Sequence, residues 1–252
     1  MAKNTTLYDR ALILVSGEEA RPFLQGLVTQ DVLTLAEGQP RWAGLLTPQG
    51  KALFDFILWA DGPQDVLIDC EGAQADALLR RLMLYRLRRK IALEKVEDRR
   101  VHWSLDAADK PADPRLSALG HRWIAPVAED DGPDKNNGAD AVYRAHRLSL
   151  GVMEGIAELG SDQTLWLESN AEELNGVHFA KGCYVGQENT ARMHFRNKVS
   201  RRLVVVPLAV SDPKRQRVAL DDLALAIDHR RVEDMTDLPL PAWQAAAIAP
   251  EE

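Results

Sequence analysis

The stretch KGCYVGQE, Lys181 to Glu188, places a thiol, an amine and a carboxylate between two glycines. Gly182 and Gly186 permit positive φ and hence a tight turn that lifts Cys183 out of regular structure. An adjacent cation such as Lys181 favours the thiolate, the form that attacks electrophiles and ligates metals, while a nearby Glu188 opposes it. Six cations lie between Lys181 and Arg202 (Lys181, Arg192, Arg196, Lys198, Arg201, Arg202), against the single acid Glu188, for a local net charge of +5 in a chain of formal charge -7. That contrast reads as an anion site. The alternative is a glycine turn feeding a basic edge strand, with Cys183 buried. His178 and His194 flank the thiol and read as hydrogen-bonded structural residues rather than bases.

Several chemistries are excluded by spacing. Cys183 has no cysteine two to four residues away and the flanking histidines have no zinc-ligand spacing. An iron–sulfur centre takes four cysteines, so this thiol would at most share a cluster with a partner. The chain's other cysteine, Cys70, ends the strand-like DVLIDC and reads as a small buried hydrophobe. Two cysteines make no disulfide framework and suit a reducing compartment. GLLTPQGKA resembles a phosphate loop, but it has five residues between its glycines and Ala52 where a magnesium-ligating hydroxyl belongs. There is no G-x-S-x-G and no H-E-x-x-H. The acidic balance argues against general nucleic-acid binding, and no apolar run reaches membrane-spanning or secretory length. A cytoplasmic protein is expected, or a mitochondrial-matrix one if the source is a eukaryote.

The elements that would position the thiol follow from periodicity. The 252 residues suffice for one large domain or two to three small ones. ALILV predicts a strand, and Ser16 with Glu19 a capping box for a short helix through Phe23 and Leu24, shortened or bent by Pro22. RWAGLLTPQGKALFDFILW predicts a hairpin turning at Thr47-Pro48-Gln49-Gly50, with Ala52, Phe54, Phe56 and Leu58 on one face and Lys51, Leu53, Asp55 and Ile57 on the other. An amphipathic helix carrying Leu78, Leu79, Leu82, Met83 and Tyr85 follows, then the strand IALEKV. Arg80, Arg81, Arg86, Arg88, Arg89 and Lys90 crowd that helix end and read as a solvated face more than a binding patch. Polar loops are expected at 106–115 and 129–140, the second a mobile one, a helix from Ala141, and a β-rich module beyond Arg202.

KGCYVGQE, preceded by LWLESN and GVHFA and followed by RRL, resembles the signature of the YgfZ-type folate-binding proteins. That family includes a mitochondrial iron–sulfur assembly factor related to the glycine-cleavage T-protein. FLQGLVTQDV, LLTPQGKALFDFILW, LYRLRRK and GVMEGIAELG agree in the same order, so the likeness covers roughly residues 10 to 205. The resemblance implies an α+β, T-protein-like fold in which mixed α/β domains surround a central cavity for tetrahydrofolate. Residues 1–202 would form the folate-binding region, two intertwined subdomains, and 203–252 a short, incomplete β-barrel-like module. It also implies pterin recognition by Glu168, since a carboxylate accepts adjacent N–H donors in pairs. Asn170 would support it, and Lys181, Tyr184, Gln187 and Arg192 would complete the folate-binding set. The T-protein places consecutive aspartates in its hairpin strand; here the pair reads Phe54-Asp55, which leaves Asp55 as the one candidate for transfer chemistry.

The leading expectation is a tetrahydrofolate-binding factor for assembly or repair of iron–sulfur clusters in client enzymes, a tRNA methylthiolation enzyme among them, with Cys183 acting near the folate or at the client's cluster. The rivals are a one-carbon transferase that relies on Asp55, and a docking protein whose basic edge at Arg192 to Arg202 binds a partner while its cavity is vestigial. Iron–sulfur client or assembly proteins are the expected partners; neither direct nucleic-acid binding nor a membrane is expected.

Overall fold

A computed structural model describes residues 4–127, 138–196 and 199–249; the predicted polar loop at 129–140 therefore falls largely outside the described residues. The centre is an antiparallel five-stranded sheet in the order β2-β3-β4-β1-β5. Its strands are β1 (Arg10–Ser16), β2 (Arg41–Leu46), β3 (Ala52–Asp61), β4 (Asp65–Glu71) and β5 (Ala92–Val96). Side chains alternate across such a sheet, and here both faces are apolar. Ile13, Val15, Phe56, Leu58, Val66, Ile68 and Cys70 point to one face. Leu12, Trp42, Ile57, Trp59 and Leu67 point to the other.

The first face is covered by α1 (Ala20–Gln25) and α2 (Ala75–Arg86), through Phe23, Leu24, Ala75, Leu78 and Leu82. Met83, placed by periodicity on the apolar stripe of α2, is instead 47% exposed. The expected capping box does not form: Glu19 is the N-cap with no side-chain cap bond, and its carboxylate accepts the Lys90 amide at 2.9 Å. The hairpin is as expected, with the Gly50 amide donating to Thr47 O at 2.9 Å, but a bulge slips the register so that Leu46 faces Ala52. Ala52 therefore joins the face of Ile57 rather than that of Phe56, because an extra residue in one strand reverses the alternation.

The second face carries the main core. The hairpin β6 (Arg99–Ser104) and β7 (His121–Pro126), the helix α3 (Asp140–Ser149), the short α4 (Ile156–Leu159) and a 3₁₀ turn at Trp166–Ser169 pack against it. Trp42 and Trp166 lie with ring centroids 4.7 Å apart at its centre. After α5 (Gln187–Phe195) come β8 (Arg201–Pro207), β9 (Gln216–Leu220) and β10 (Leu225–Arg231), an open three-stranded sheet in the order β8-β10-β9, and then α6 (Ala242–Ile248). A closed barrel is absent among the described residues. The 202/203 boundary drawn from the sequence falls inside β8, whose Leu203 and Val205 belong to the main core.

Charge also enters the interior. The loop at 106–115, polar in sequence, delivers Asp113 and Arg115 to fully buried positions. Arg115 meets Asp113 at 2.7 Å and Glu154 at 2.6 Å; Arg10 meets Asp69 at 2.7 Å and Glu154 at 2.9 Å; Arg122 meets Asp69 at 2.7 Å. The Tyr143 hydroxyl donates to Glu154 at 2.7 Å and accepts from Arg115 and Arg122 at 2.6 and 2.9 Å. Burial alone would raise the Glu154 carboxyl, but Arg10, Arg115, Arg147 and Arg122 outweigh it and hold the group well below its ordinary range. A depressed carboxyl adds stability above its unfolded value, and that stability fades as pH falls. Glu154→Ala should cost about 3–5 kcal/mol, because it leaves buried guanidinium groups uncompensated. In urea denaturation the gap between wild type and variant should narrow once pH drops below the ordinary glutamate value of 4.5.

Candidate functional site: an exposed thiol on a fixed turn

The KGCYVGQE turn is held at one end by α1 and the segment after it, and at the other by the β2–β3 hairpin. Lys181 Nζ donates to Gln25 O at 2.5 Å and Val28 O at 2.7 Å, which caps the carbonyl end of α1, and Gln25 Nε2 donates back to Lys181 O at 3.0 Å. The ammonium lies 4.7 Å from the centre of the buried Tyr184 ring. On the far side, Gly186 at φ +85° sits on the tip of the β2–β3 hairpin, so close that a Cβ would stand 2.5 Å from Thr47 O and 2.9 Å from Leu46 Cβ. Asn189 Nδ2 donates to Gln49 O at 2.9 Å and fastens the start of α5 to the same tip. The Trp166 amide donates to Gly50 O at 2.9 Å from the other side.

Between these anchors Gly182 stands at φ +94° with nothing within 4 Å of a would-be Cβ, and Cys183 is exposed. The buried alternative for this thiol is thus replaced by display on a rigid mount. Cys70 is buried as expected; burial pushes its thiol up to about 12. Among the described residues no group of three or more His, Cys, Asp or Glu is arranged to hold a metal ion.

The other predicted site residues go elsewhere. Asp55 accepts from Trp42 Nε1 at 3.1 Å and from the Gly155 amide at 2.9 Å. It is a buried brace on the turn into α4, its carboxyl raised by burial and by Glu154. Glu168 accepts from the Leu165 amide at 3.3 Å and lies 3.3 Å from His229 Nε2, so its carboxylate closes the 3₁₀ turn against β10. Asn170, at φ 63°, donates to Leu203 O at 3.0 Å and accepts from Arg202 at 3.1 Å; it joins the core to β8. Tyr184 is buried, its phenol pushed up to about 12 by desolvation. Gln187 opens α5 half-buried, and Arg192 pairs with Glu188 at 2.8 Å on the outside.

Glu168 and Asn170 are thus engaged with His229, Leu203 and Arg202, while Cys183 stands exposed on its turn. The local surplus of cations is also reduced, since Arg202 meets Glu173 at 2.6 Å while Lys181 serves carbonyls. His194 behaves as expected, stacked on Phe179 at 3.8 Å and 2.8 Å from Glu172; His178 is exposed.

A cleft of about 510 Å³ opens between Arg10 and Glu71 at one end of β1 and β4, Tyr143, Arg144 and Arg147 on α3, and the turn into α4. Glu154 and Glu158 are committed to arginines there, and Glu71 accepts the Ile156 amide through Oε2 at 2.9 Å, its Oε1 having no hydrogen-bond partner among the described residues. Sequence reading missed this cleft. Its one signal was GVMEGIAELG, in which Gly155 at φ +79° packs beneath the Glu71 carboxylate.

The fold is that of the aminomethyltransferase T-proteins: the crystal structure of glycine cleavage system aminomethyltransferase T from Bartonella henselae superposes with a TM-score of 0.58 at 16% identity, over 81% of this chain and 67% of that one. The mixed α+β architecture expected from the sequence is therefore present. No family model matches. Among curated proteins, the chain is 33% identical to the mitochondrial iron–sulfur cluster assembly factor IBA57 homolog of Pyricularia oryzae, over 97% of this chain and 75% of that protein. It is 34% identical to human mitochondrial IBA57, over 82% of this chain and 66% of that protein, and 32% identical to the Neurospora crassa homolog, over 79% and 52%. The chain thus spans between half and two-thirds of the length of the last two relatives. It belongs to the IBA57 family of iron–sulfur cluster assembly factors; none of these relatives carries the YgfZ name.

The mount makes two testable demands. Gly182→Ala should cost only the strain of positive φ, about 1–2 kcal/mol, whereas Gly186→Ala, which drives a Cβ into Thr47 O, should cost clearly more in denaturant titration. Burial lowers Lys181 to about 8 from 10.5. The unfolded chain therefore binds the extra proton between those values, and stability should rise with pH across that window. Lys181→Gln should lack this rise.

Proposed function

We propose that the chain acts in iron–sulfur cluster assembly by supplying the Cys183 thiolate as one ligand to a cluster whose remaining ligands come from a partner protein. The observation that carries this reading is one exposed thiol on a turn clamped at both ends, with the only other thiol buried in the core. Four soft ligands hold such a cluster, so a chain that offers one must borrow the others. The names of the relatives support the same role. Assembly partners and client enzymes, a tRNA methylthiolation enzyme among them, are the proposed contacts. The proposed setting is a reducing one, cytoplasm or mitochondrial matrix; no helix among the described residues is long and apolar enough to cross a membrane.

Tetrahydrofolate is the proposed small ligand, moved from Glu168 to the cleft. The volume suits a ligand of that size, for which about 300–1,000 Å³ is usual. Glu71 offers pterin N–H donors a carboxylate oxygen that has no partner among the described residues, and Arg144, half-buried at the rim and ion-paired with Asp222 at 2.5 Å, a cation for the glutamate tail. The one-carbon transferase reading is less favoured, because both Asp55 oxygens are already bonded.

In a strain lacking this chain, Cys183→Ala should fail to restore the activity of iron–sulfur client enzymes although it folds with the wild-type melting midpoint. Full restoration would rule out the thiol's role. Calorimetry with a reduced folate should give heat that Glu71→Gln diminishes at least tenfold and Glu168→Gln leaves unchanged. Equal loss in both variants, or no heat at all, removes the folate assignment without touching the thiol.

A further inference from the structure

The outward face of α2 has no role in the thiol mount or the cleft. Its inward face is Ala75, Leu78 and Leu82; the opposite stripe, at i, i+3, i+4 and i+7, is Arg80, Met83, Leu84 and Leu87. Met83 is 47%, Leu84 70% and Leu87 83% exposed, a density of apolar side chains that a free helix end does not need. Leu87 also terminates the helix at φ 51°, ψ -118°, a conformation that an L-residue adopts only under strain. Strain of this kind persists where the surroundings impose it and is concentrated at functional surfaces.

Around these three side chains stand Arg80, Arg81, Arg86, Arg88, Arg89 and Lys90, and no acid occurs between Asp76 and Glu94. Arg89 meets Glu19 at 3.4 Å. Among the described residues the other five form no ion pair. A chain of net charge -7 thus concentrates uncompensated positive charge on one apolar spot.

We propose that this patch is a docking surface for an acidic protein partner, one that sets an apolar ridge against Met83, Leu84 and Leu87 and carboxylates against the surrounding arginines. Charge complementarity fixes the sign of the partner, and composition fixes its class. Five of the six cations are arginine and the apolar centre includes methionine, the residues enriched at protein interfaces where lysine is depleted. A membrane-surface helix would carry aromatic anchors and a longer apolar face; this stripe has neither. A nucleic-acid surface would be polar throughout, and this one is apolar at its centre. α2 itself lies over β1 and β5, so the patch is carried on the covered face of the central sheet.

The probe is a fluorescein-labelled amphipathic helical peptide with leucines at i, i+3 and i+4 and glutamates elsewhere, titrated with the full chain in anisotropy. Binding is expected, with at least tenfold loss in the Arg86→Glu/Arg88→Glu double variant and at least fivefold loss in Leu84→Ser. Leu87→Gly should weaken binding to a similar degree while raising the melting midpoint, since glycine relieves the positive φ; a merely structural role would not separate the two readouts. Absence of binding to the wild-type chain, or equal binding by all variants, overturns the proposal. So does binding of phosphatidylglycerol vesicles or single-stranded RNA at this patch in place of the peptide.

Discussion

The approach of the Gly186 backbone to the tip of the β2–β3 hairpin is the contact on which the display of Cys183 depends. Two backbones meet there with no side chain between them: Gly186 lies against Thr47 O, and a Cβ on Gly50 would stand 3.2 Å from Gly186 O. Both glycines hold positive φ. The hairpin tip is itself fixed from the opposite side by the Trp166 amide, so the turn rests on a rigid support. Lys181 then fastens the other end of the turn to α1. The thiol is left between two anchored ends of the turn, exposed.

A second constraint organises the far half of the molecule. Glu154 is reached by Arg10 from β1 and by Arg115 from the 106–115 loop, while Tyr143 of α3 donates to the same carboxylate. Buried ion pairs are weak sources of net stability but costly to break, so the network gives registry more than energy. It makes the loop, the sheet and α3 agree on a single arrangement, and the wall of the cleft is the outer surface of that arrangement. Asp55 and Glu71 extend the logic by accepting the adjacent amides of Gly155 and Ile156, which places the turn into α4.

Much of the scaffold was legible because its signals are local. Short apolar runs marked β1 and β4 and alternation marked β3, Thr47-Pro48-Gln49-Gly50 marked the hairpin, and the glycines of KGCYVGQE marked a turn carrying a thiol. The site assignments were less legible because they depend on long-range partners. Nothing near Glu168 in sequence shows that His229 comes to 3.3 Å, nor does anything near Asn170 show that Leu203 and Arg202 take its amide. The burial of Asp113 and Arg115 was hidden because Arg115, which pairs with Asp113, finds its other partner, Glu154, some forty positions away. The Ala52 bulge was hidden for a different reason: an inserted residue changes which face a side chain takes without altering the apolar pattern on either side of it.

The surroundings of Cys183 also discriminate between two uses of a thiol. A nucleophilic cysteine is activated by a cation directed at its sulfur. The nearest candidate in sequence, Lys181, hydrogen-bonds two carbonyls and lies over the Tyr184 ring; burial moves it towards the neutral amine, although Asp31 and the Cys183 thiolate act in the other direction. His194, flanking in sequence, is stacked on Phe179 and turned to Glu172. A metal ligand has no such requirement, because a bound metal centre itself deprotonates the coordinating thiol. What ligation demands is an accessible sulfur with little freedom to move, reachable by a second protein. A rigid glycine turn at the surface meets that demand, and a catalytic cleft would not.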